Sequence, residues 1–563
     1  MKKKFINYFV ITILVILIGI TYQDLTKLYY LNDEWLQFGL AKVHGIFAGI
    51  DQWSIQEVLL GKGRPLGTLV NNIIFYYFPY NVLPFAVVSW LMHFGNSYLV
   101  YLIAKKVSKN VFISAITSLF FSVSQISYQS FAWAAAAVQV GVSSFFVFSA
   151  IYLFMLYLDN KRFRYALFAW LSAYISILLK DSSISIIVFL PLLSFLYVKK
   201  SLSLYSWIRS YWFVIVGVIG FSLYRLLSLL ELSSRGVGSL FVSQLAYRYL
   251  LYIWNMIFYP IVSLAHFFIP FRYMYRLADI LASFFYPSIF TPQFISQQDM
   301  LLHTIVPDFI SVLFFIPLVA ILLYCYFQDK ALRKTYIYAV VYYIVMFIPY
   351  AVYLDYRNGS YVESRYMYLQ SFGIGLLIGG LSEVFKNKIN ILSKNKYLGW
   401  VFVVFIISFF LIKQSSVVRR EIRVNAYESA DIKRITTEVK KSFPTLPLNP
   451  IIYLDGNRSY FFYSNMRVPL QIGPGYVFFL LYYDQIGSPD LFDKSFMLWQ
   501  LSVQWYEEAN GKGYGYFYDK EKLKLFMRQN NNISIEQLVG IYYNSDTKKF
   551  EDRTVELREY ILN

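Results

Sequence analysis

Cysteine is almost absent from this chain: Cys325 is the single one among 563 residues, and it lies inside an apolar run. An internal disulfide is excluded, and Cys325 reads as a small packing residue. Histidine is nearly as scarce, and His44, His93, His266 and His303 show neither HxxxH nor HExxH spacing. That removes the usual histidine metal sites. There is no P-loop, no GxGxxG opening a helix after a strand and no CxxC, so a nucleotide-dependent cytoplasmic enzyme is not expected. Charge is thin as well, at 15% of residues, and neither a tandem repeat nor a low-complexity tract occurs.

Apolar residues fill the space those absences leave. They make up 58% of the chain, with 20% aromatic, more than a soluble core of this size could hide. A polytopic membrane protein is the expectation. The net charge of +18 could suggest nucleic acid, but its distribution argues otherwise. After Val417, 19 Lys and Arg stand against 18 Asp and Glu, while the remaining +17 gathers mostly in short clusters between apolar runs. No nucleic-acid partner is therefore expected.

Apolar runs of spanning length predict about 11 helices, near 5–23, 84–104, 111–128, 131–157, 165–179, 183–198, 211–230, 309–327, 335–353, 366–384 and 397–414. The first lacks a small-x-small cleavage site and reads as a retained helix. Clusters led by Lys2, Lys105, Lys161, Lys199, Lys330 and Lys386 fall on alternate connections, all on one side. This regularity puts the amino terminus in the cytoplasm and the carboxyl terminus outside, and the expected location is the plasma membrane, of a bacterium by the resemblance given below. Residues 1–414 then form the membrane domain, with outer connections at 24–83, 180–182, 231–308 and 354–365. The stretch 246–270 is long enough to cross, but crossing alone would move the later clusters, so it reads as interfacial or re-entrant. Residues 271–308 read as a surface loop. Residues 415–563 predict an extracytoplasmic mixed α/β domain, opening with a helix and continuing through PIIYLDG, GYGYFYD and VGIYYNSD as strands.

Four polar groups converge on the outer side. Asp33 and Glu34 stand beside Trp35 in the first connection, read as a loop, with Arg64 further along in GRPLG. They would equally suit a solvated acidic helix start. Lys180 and Asp181 form a corner between two apolar runs, where a lysine could simply snorkel. Glu363, Arg365, Tyr366 and Tyr368 open the tenth helix, as an interfacial anchor would. Tyr247, Arg248, Arg272 and Arg276 could meet acidic lipid head groups. Together they suit transfer of a sugar from a lipid phosphate. Such a donor already carries a good leaving group, so one carboxylate suffices to deprotonate the acceptor hydroxyl. Cations such as Lys180 and Arg365 would hold the phosphate as the bond breaks.

The ordered set NDEW (32–35), GRPLG (63–67), FAVVSWLMHFGNSYLVYLIAKKV (85–107), LLKDSSISIIVFLPLL (178–193) and ESRYMYLQSFGIG (363–375) resembles the GT-C superfamily of polyprenyl-phosphate-sugar-dependent glycosyltransferases. It is most similar to the branch of bacterial proteins and eukaryotic tetratricopeptide O-mannosyltransferases. The resemblance implies an inverting GT-C fold enzyme with no bound nucleotide, a dolichol- or undecaprenyl-type donor and a glycan, lipid or protein acceptor. It makes Asp33 the general base with Glu34 as partner or substitute. Lys180, Arg365, Tyr366 and Arg64 become contacts to the donor phosphate, and Asp181, Glu363 and Tyr368 further substrate contacts. No cofactor is required, and a divalent cation is left open. The chain departs from the branch at AAAAVQV after Trp133, where a Gly-Arg-Ala-Asp pattern is usual, at Gln370 in place of proline, and in its tail without tetratricopeptide repeats. An envelope polysaccharide polymerase or ligase, or a lipid-linked glycan flippase, is the other class. A flippase should carry mid-bilayer polar residues and related halves. The carboxylate so early in the first connection favours the transferase.

Overall fold

A computed structural model of the chain describes residues 2–31, 33–51, 54–59, 64–197, 212, 216–220, 253–270, 273, 274, 276, 277, 280, 295–353, 364–395, 397–457, 474–487, 504–544 and 546–563, with the side chains of 2–5, 33, 57, 295–307, 351–353 and 474 left out. Among the described residues six helices are long and apolar enough to cross a bilayer: Ile6–Lys27, Leu83–Ser108, Val111–Ala132, Ala134–Asn160, Asp308–Gln328 and Leu398–Ser442. This is a multi-pass membrane protein.

The expected eleven spans differ from these six for physical reasons. Phe163–Leu179 and Asp181–Tyr197 are apolar but short; at 1.5 Å per residue, 17 residues reach only about 26 Å. The run at 335–353 divides into Arg333–Val345 and Ile348–Tyr353. The run at 366–384 opens with a single tight turn, Ser364–Met367, and the helix that follows, Ser371–Leu392, is long enough but carries Glu383, Lys386 and Lys388 in its second half. Most of 211–230 lies outside the described residues, as do Tyr247, Arg248 and Arg272. Within 246–270, a short apolar helix covers Ile253–Phe267. The surface loop expected at 271–308 is corrected at its end, because the helix leading into the next span begins at Ile295.

The first connection is likewise not a loop: it folds into Asp33–His44, Ile55–Leu59 and Pro65–Tyr77. Pro65 at the first position of its helix costs no hydrogen bond there. Elsewhere the breaks follow local chemistry. Lys109 closes the Leu83–Ser108 helix in the left-handed region, and Asn110 caps the next through its side-chain oxygen, which accepts from Phe112 N at 2.8 Å. Close helix packing rests on a small residue: a Cβ on Gly379 would stand 2.8 Å from the Ile113 carbonyl oxygen of the neighbouring helix.

The carboxyl-terminal sheet has the order β2-β3-β1-β4-β5, with β1 Ile451–Gly456, β2 Trp505–Ala509, β3 Lys512–Phe517, β4 Leu538–Asn544 and β5 Lys549–Asp552. Central β1 runs parallel to β3 and β4, while β2 and β5 are antiparallel edges. Alternation along β1 gives two buried faces. Ile452 and Leu454 pack with Ile435 and Val439 of the long helix and with Val477 to Leu481. Ile451 faces Leu523 and Met527 of Lys520–Gln529 and Leu557 of Thr554–Leu562.

That body seats directly on the first connection. Trp35 and Phe38 share one core with Tyr476, Phe479, Tyr482 and Tyr514. Burying a ring the size of Trp35 contributes roughly 2–3 kcal/mol. Tyr476 donates to the Leu36 carbonyl at 3.2 Å, and Tyr80 to that of Leu480 at 3.3 Å. Lys42 pairs with Asp484 at 3.1 Å. One face of the 33–44 helix is thereby held, which fixes where Glu34 and Gln37 on its other side point.

Candidate active site

Five separated stretches meet at one cavity of about 170 Å³, lined by Leu31, Glu34, Gln37, Arg64, Trp133, Ala135, Ala136, Gln139, Lys180, Arg365 and Tyr366. Each stretch is placed by a recognisable local device. Glu34 is 3% exposed. One of its oxygens accepts from the backbone N–H of Leu31 and the other from that of Ala134. The second bond explains the helix break at Trp133, whose φ of −101° and ψ of 116° are extended. A carboxylate across the gap satisfies an N–H that a continuous helix would have used. Three residues on, Ala137–Val142 forms a π-helical turn that carries Gln139; such turns gather at functional sites.

Arg64 is the N-cap of the 65–77 helix and sits in the left-handed region at φ 58°, ψ 58°. Its Nε donates to Asp181 Oδ2 at 3.1 Å and its Nη1 to Gln139 Oε1 at 3.2 Å. The last residue of GRPLG has a steric reason. A Cβ on Gly67 would lie 2.6 Å from the Leu179 carbonyl oxygen, so only glycine lets this helix approach the residue before Lys180.

Lys180 is extended between two helices, buried to 8% exposure, with its Nζ 5.6 Å from the centre of the Tyr366 ring. The Arg365 guanidinium lies 4.4 Å from the Trp133 ring and 5.1 Å from that of Tyr366, and it donates to the Tyr366 hydroxyl at 3.3 Å. Gln129 braces the turn below, accepting from Ser364 Oγ at 2.7 Å. Behind Glu34, burial pushes the phenols of Tyr30 and Tyr80 up, so both stay neutral and offer no competing proton acceptor.

Of the residues expected from the sequence, Glu34, Arg64, Lys180, Arg365 and Tyr366 line this cavity together. Asp181 is not in the lining and pairs with Arg64 from behind. Asp33 begins the 33–44 helix, and its side chain lies outside the described residues, as does all of Glu363. Tyr368 is not in the lining. It is 1% exposed and buried among helices, its hydroxyl 2.8 Å from His93 Nδ1 and 3.2 Å from Asn96 Nδ2, away from the cavity. Among the described residues no group of three or more metal-ligating side chains occurs.

Gln37, Trp133 and Gln139 were missed. Gln139 had a signal, being a lone amide in an otherwise apolar stretch of spanning length, where such a residue is costly. Gln37 stands three residues after Glu34 and so shares its helix face.

Compared with known proteins, the chain matches no family model and no curated protein. Among solved structures it is similar to the archaeal oligosaccharyltransferase AglB from Archaeoglobus fulgidus in complex with an inhibitory peptide and a dolichol-phosphate. The identity is 12% and the TM-score 0.40, over 98% of this chain and 74% of that one.

Proposed function

We propose that the protein is an inverting membrane glycosyltransferase of GT-C type, moving a sugar from a polyprenyl phosphate to an acceptor hydroxyl on the outer face of the membrane. The observation that carries this reading is the cavity into which Lys180, Arg365 and Tyr366 converge beside the start of the 33–44 helix, where Asp33 stands. In the reaction the acceptor hydroxyl passes its proton to the Asp33 carboxylate as its oxygen attacks the anomeric carbon. The bond from that carbon to the phosphate oxygen breaks, and its electron pair leaves with the polyprenyl phosphate. Lys180 and Arg365 stabilise the charge gathering there, with Tyr366 keeping Arg365 in place.

Glu34 is a positioning residue in this scheme, since both its oxygens are engaged by backbone N–H groups. Arg64, held by Asp181 and Gln139, presents its remaining donor surface to the phosphate. The test is transfer by the purified protein from a lipid-phosphate sugar. Asp33→Asn should fold, stay in the membrane and lose transfer; wild-type rates in that variant refute the assignment of the base.

A further inference from the structure

Two glutamines line the cavity, and the orientation of each amide is set by its neighbours rather than chosen freely. Arg64 can only donate, so the oxygen of Gln139 faces it, at 3.2 Å from Nη1. The NH2 group of Gln139 therefore turns away from Arg64. Gln37 is fixed one step further back. Asn71, fully buried, lies 3.1 Å from the Ala135 carbonyl, which can only accept, so its NH2 group must face that way. The same NH2 donates to Gln37 Oε1 at 2.9 Å, which leaves the NH2 of Gln37 pointing elsewhere. Neither glutamine NH2 has a hydrogen-bond partner among the described residues, and both side chains line the cavity. Beside them the wall is apolar and small, formed by Leu31, Ala135 and Ala136.

We infer that Gln37 and Gln139 recognise an acceptor-only group on the transferred sugar, namely the carbonyl of an N-acyl substituent, so that the donor carries an acetamido sugar. This deepens the transferase reading and rests on it. A plain hydroxyl can accept from an amide, but it must also place its own proton, for which neither glutamine NH2 is an acceptor, whereas a carbonyl oxygen has no proton to place. A carboxylate would call for a guanidinium facing it; the two that border the cavity, Arg64 and Arg365, are given to the donor phosphate in the transferase reading. The alanine wall suits the acyl methyl group, which gains from leaving water.

The experiment compares three donors on the full-length protein in detergent: a polyprenyl phosphate bearing a 2-acetamido-2-deoxyhexose, the parent hexose, or the corresponding hexuronate. The acetamido donor should be used about tenfold better in kcat/KM than the parent hexose. Gln139→Glu keeps an oxygen toward Arg64 and Gln37→Glu one toward Asn71, each replacing the NH2 donor by a charged oxygen; the added charge bears on both donors alike, so the difference between them is what is read. Each should lower use of the acetamido donor about tenfold more than use of the parent hexose. Equal use of acetamido donor and parent hexose by the wild type overturns the inference, as does an equal loss on both donors in the variants. Preference for the hexuronate overturns it in favour of a carboxylate. No transfer from any donor would instead overturn the transferase reading, and calorimetric binding of the same three donors then decides this inference by itself. Selective acetamido binding lost in both variants supports it, and indifferent binding overturns it.

Discussion

Two lysines in the helical half are buried to almost the same degree, Lys180 at 8% and Lys386 at 7% exposure, and their surroundings differ completely. Lys386 lies 2.6 Å from Glu383 one turn away, with the Trp400 ring 4.4 Å and the Phe112 ring 5.0 Å from its Nζ. That is a closed arrangement with a dedicated carboxylate and two aromatic walls. Lys180 instead borders a cavity shared with Arg365, Gln139 and Glu34, and the aromatic ring beside it belongs to a residue that also faces the void. Burial of a cation is thus a poor guide to its use. A neighbouring space lined by further donors is what separates a lysine that borders a site from one that only holds helices together.

The comparison can be broken at several points. The largest effect is expected beside the open site: Asp33→Asn should lower the transfer rate about 10³-fold, as loss of a general base does, with membrane insertion intact. At the closed site Lys386→Met leaves Glu383 buried without its partner and should cost about 3 kcal/mol of stability, read from unfolding in detergent, while kcat/KM stays within about twofold. A donor-specific defect in that variant would erase the distinction between the two lysines. Lys180→Ala and Arg365→Ala should each raise the donor KM about 10- to 100-fold with little change for the acceptor; equal effects on both substrates would argue against phosphate contacts. The smallest effect is expected from Glu34→Gln. It keeps one acceptor oxygen for Leu31 or Ala134 but sets an NH2 group against the other N–H, so transfer should fall several-fold at a cost of about 1–2 kcal/mol. Complete loss in assays of that variant would move Glu34 from a brace to a participant.

Much of the helical architecture was legible because apolar runs are long and basic clusters punctuate them. The strands β1, β3 and β4 were also visible as short alternating segments. The breaks inside runs were not. Trp133 interrupts an alanine-rich stretch of high helix propensity because Glu34, 100 residues away, takes up the Ala134 N–H, and a local pattern contains nothing of that partner. The placing of Tyr368 was hidden for a related reason: the chain turns through Ser364–Met367 before the 371–392 helix starts, and the Tyr368 hydroxyl meets His93. Lys386 was read as leading a basic cluster, and a run of lysines shows nothing of the fold by which its side chain returns to Glu383. The cavity itself was legible as a set of charged residues, but its amides were not, since a glutamine carries no charge to attract notice.

The Leu398–Ser442 helix runs 45 residues without a proline, roughly 67 Å at the ordinary rise. Its apolar beginning belongs to the spanning part, its middle clasps Asp24 through Arg423 at 2.8 Å, and its end packs beneath the sheet. A rod with no joint transmits tilt instead of absorbing it. Any rocking of the sheet, including one provoked by a docking acceptor, must therefore be felt at Asp24, ten residues before Glu34.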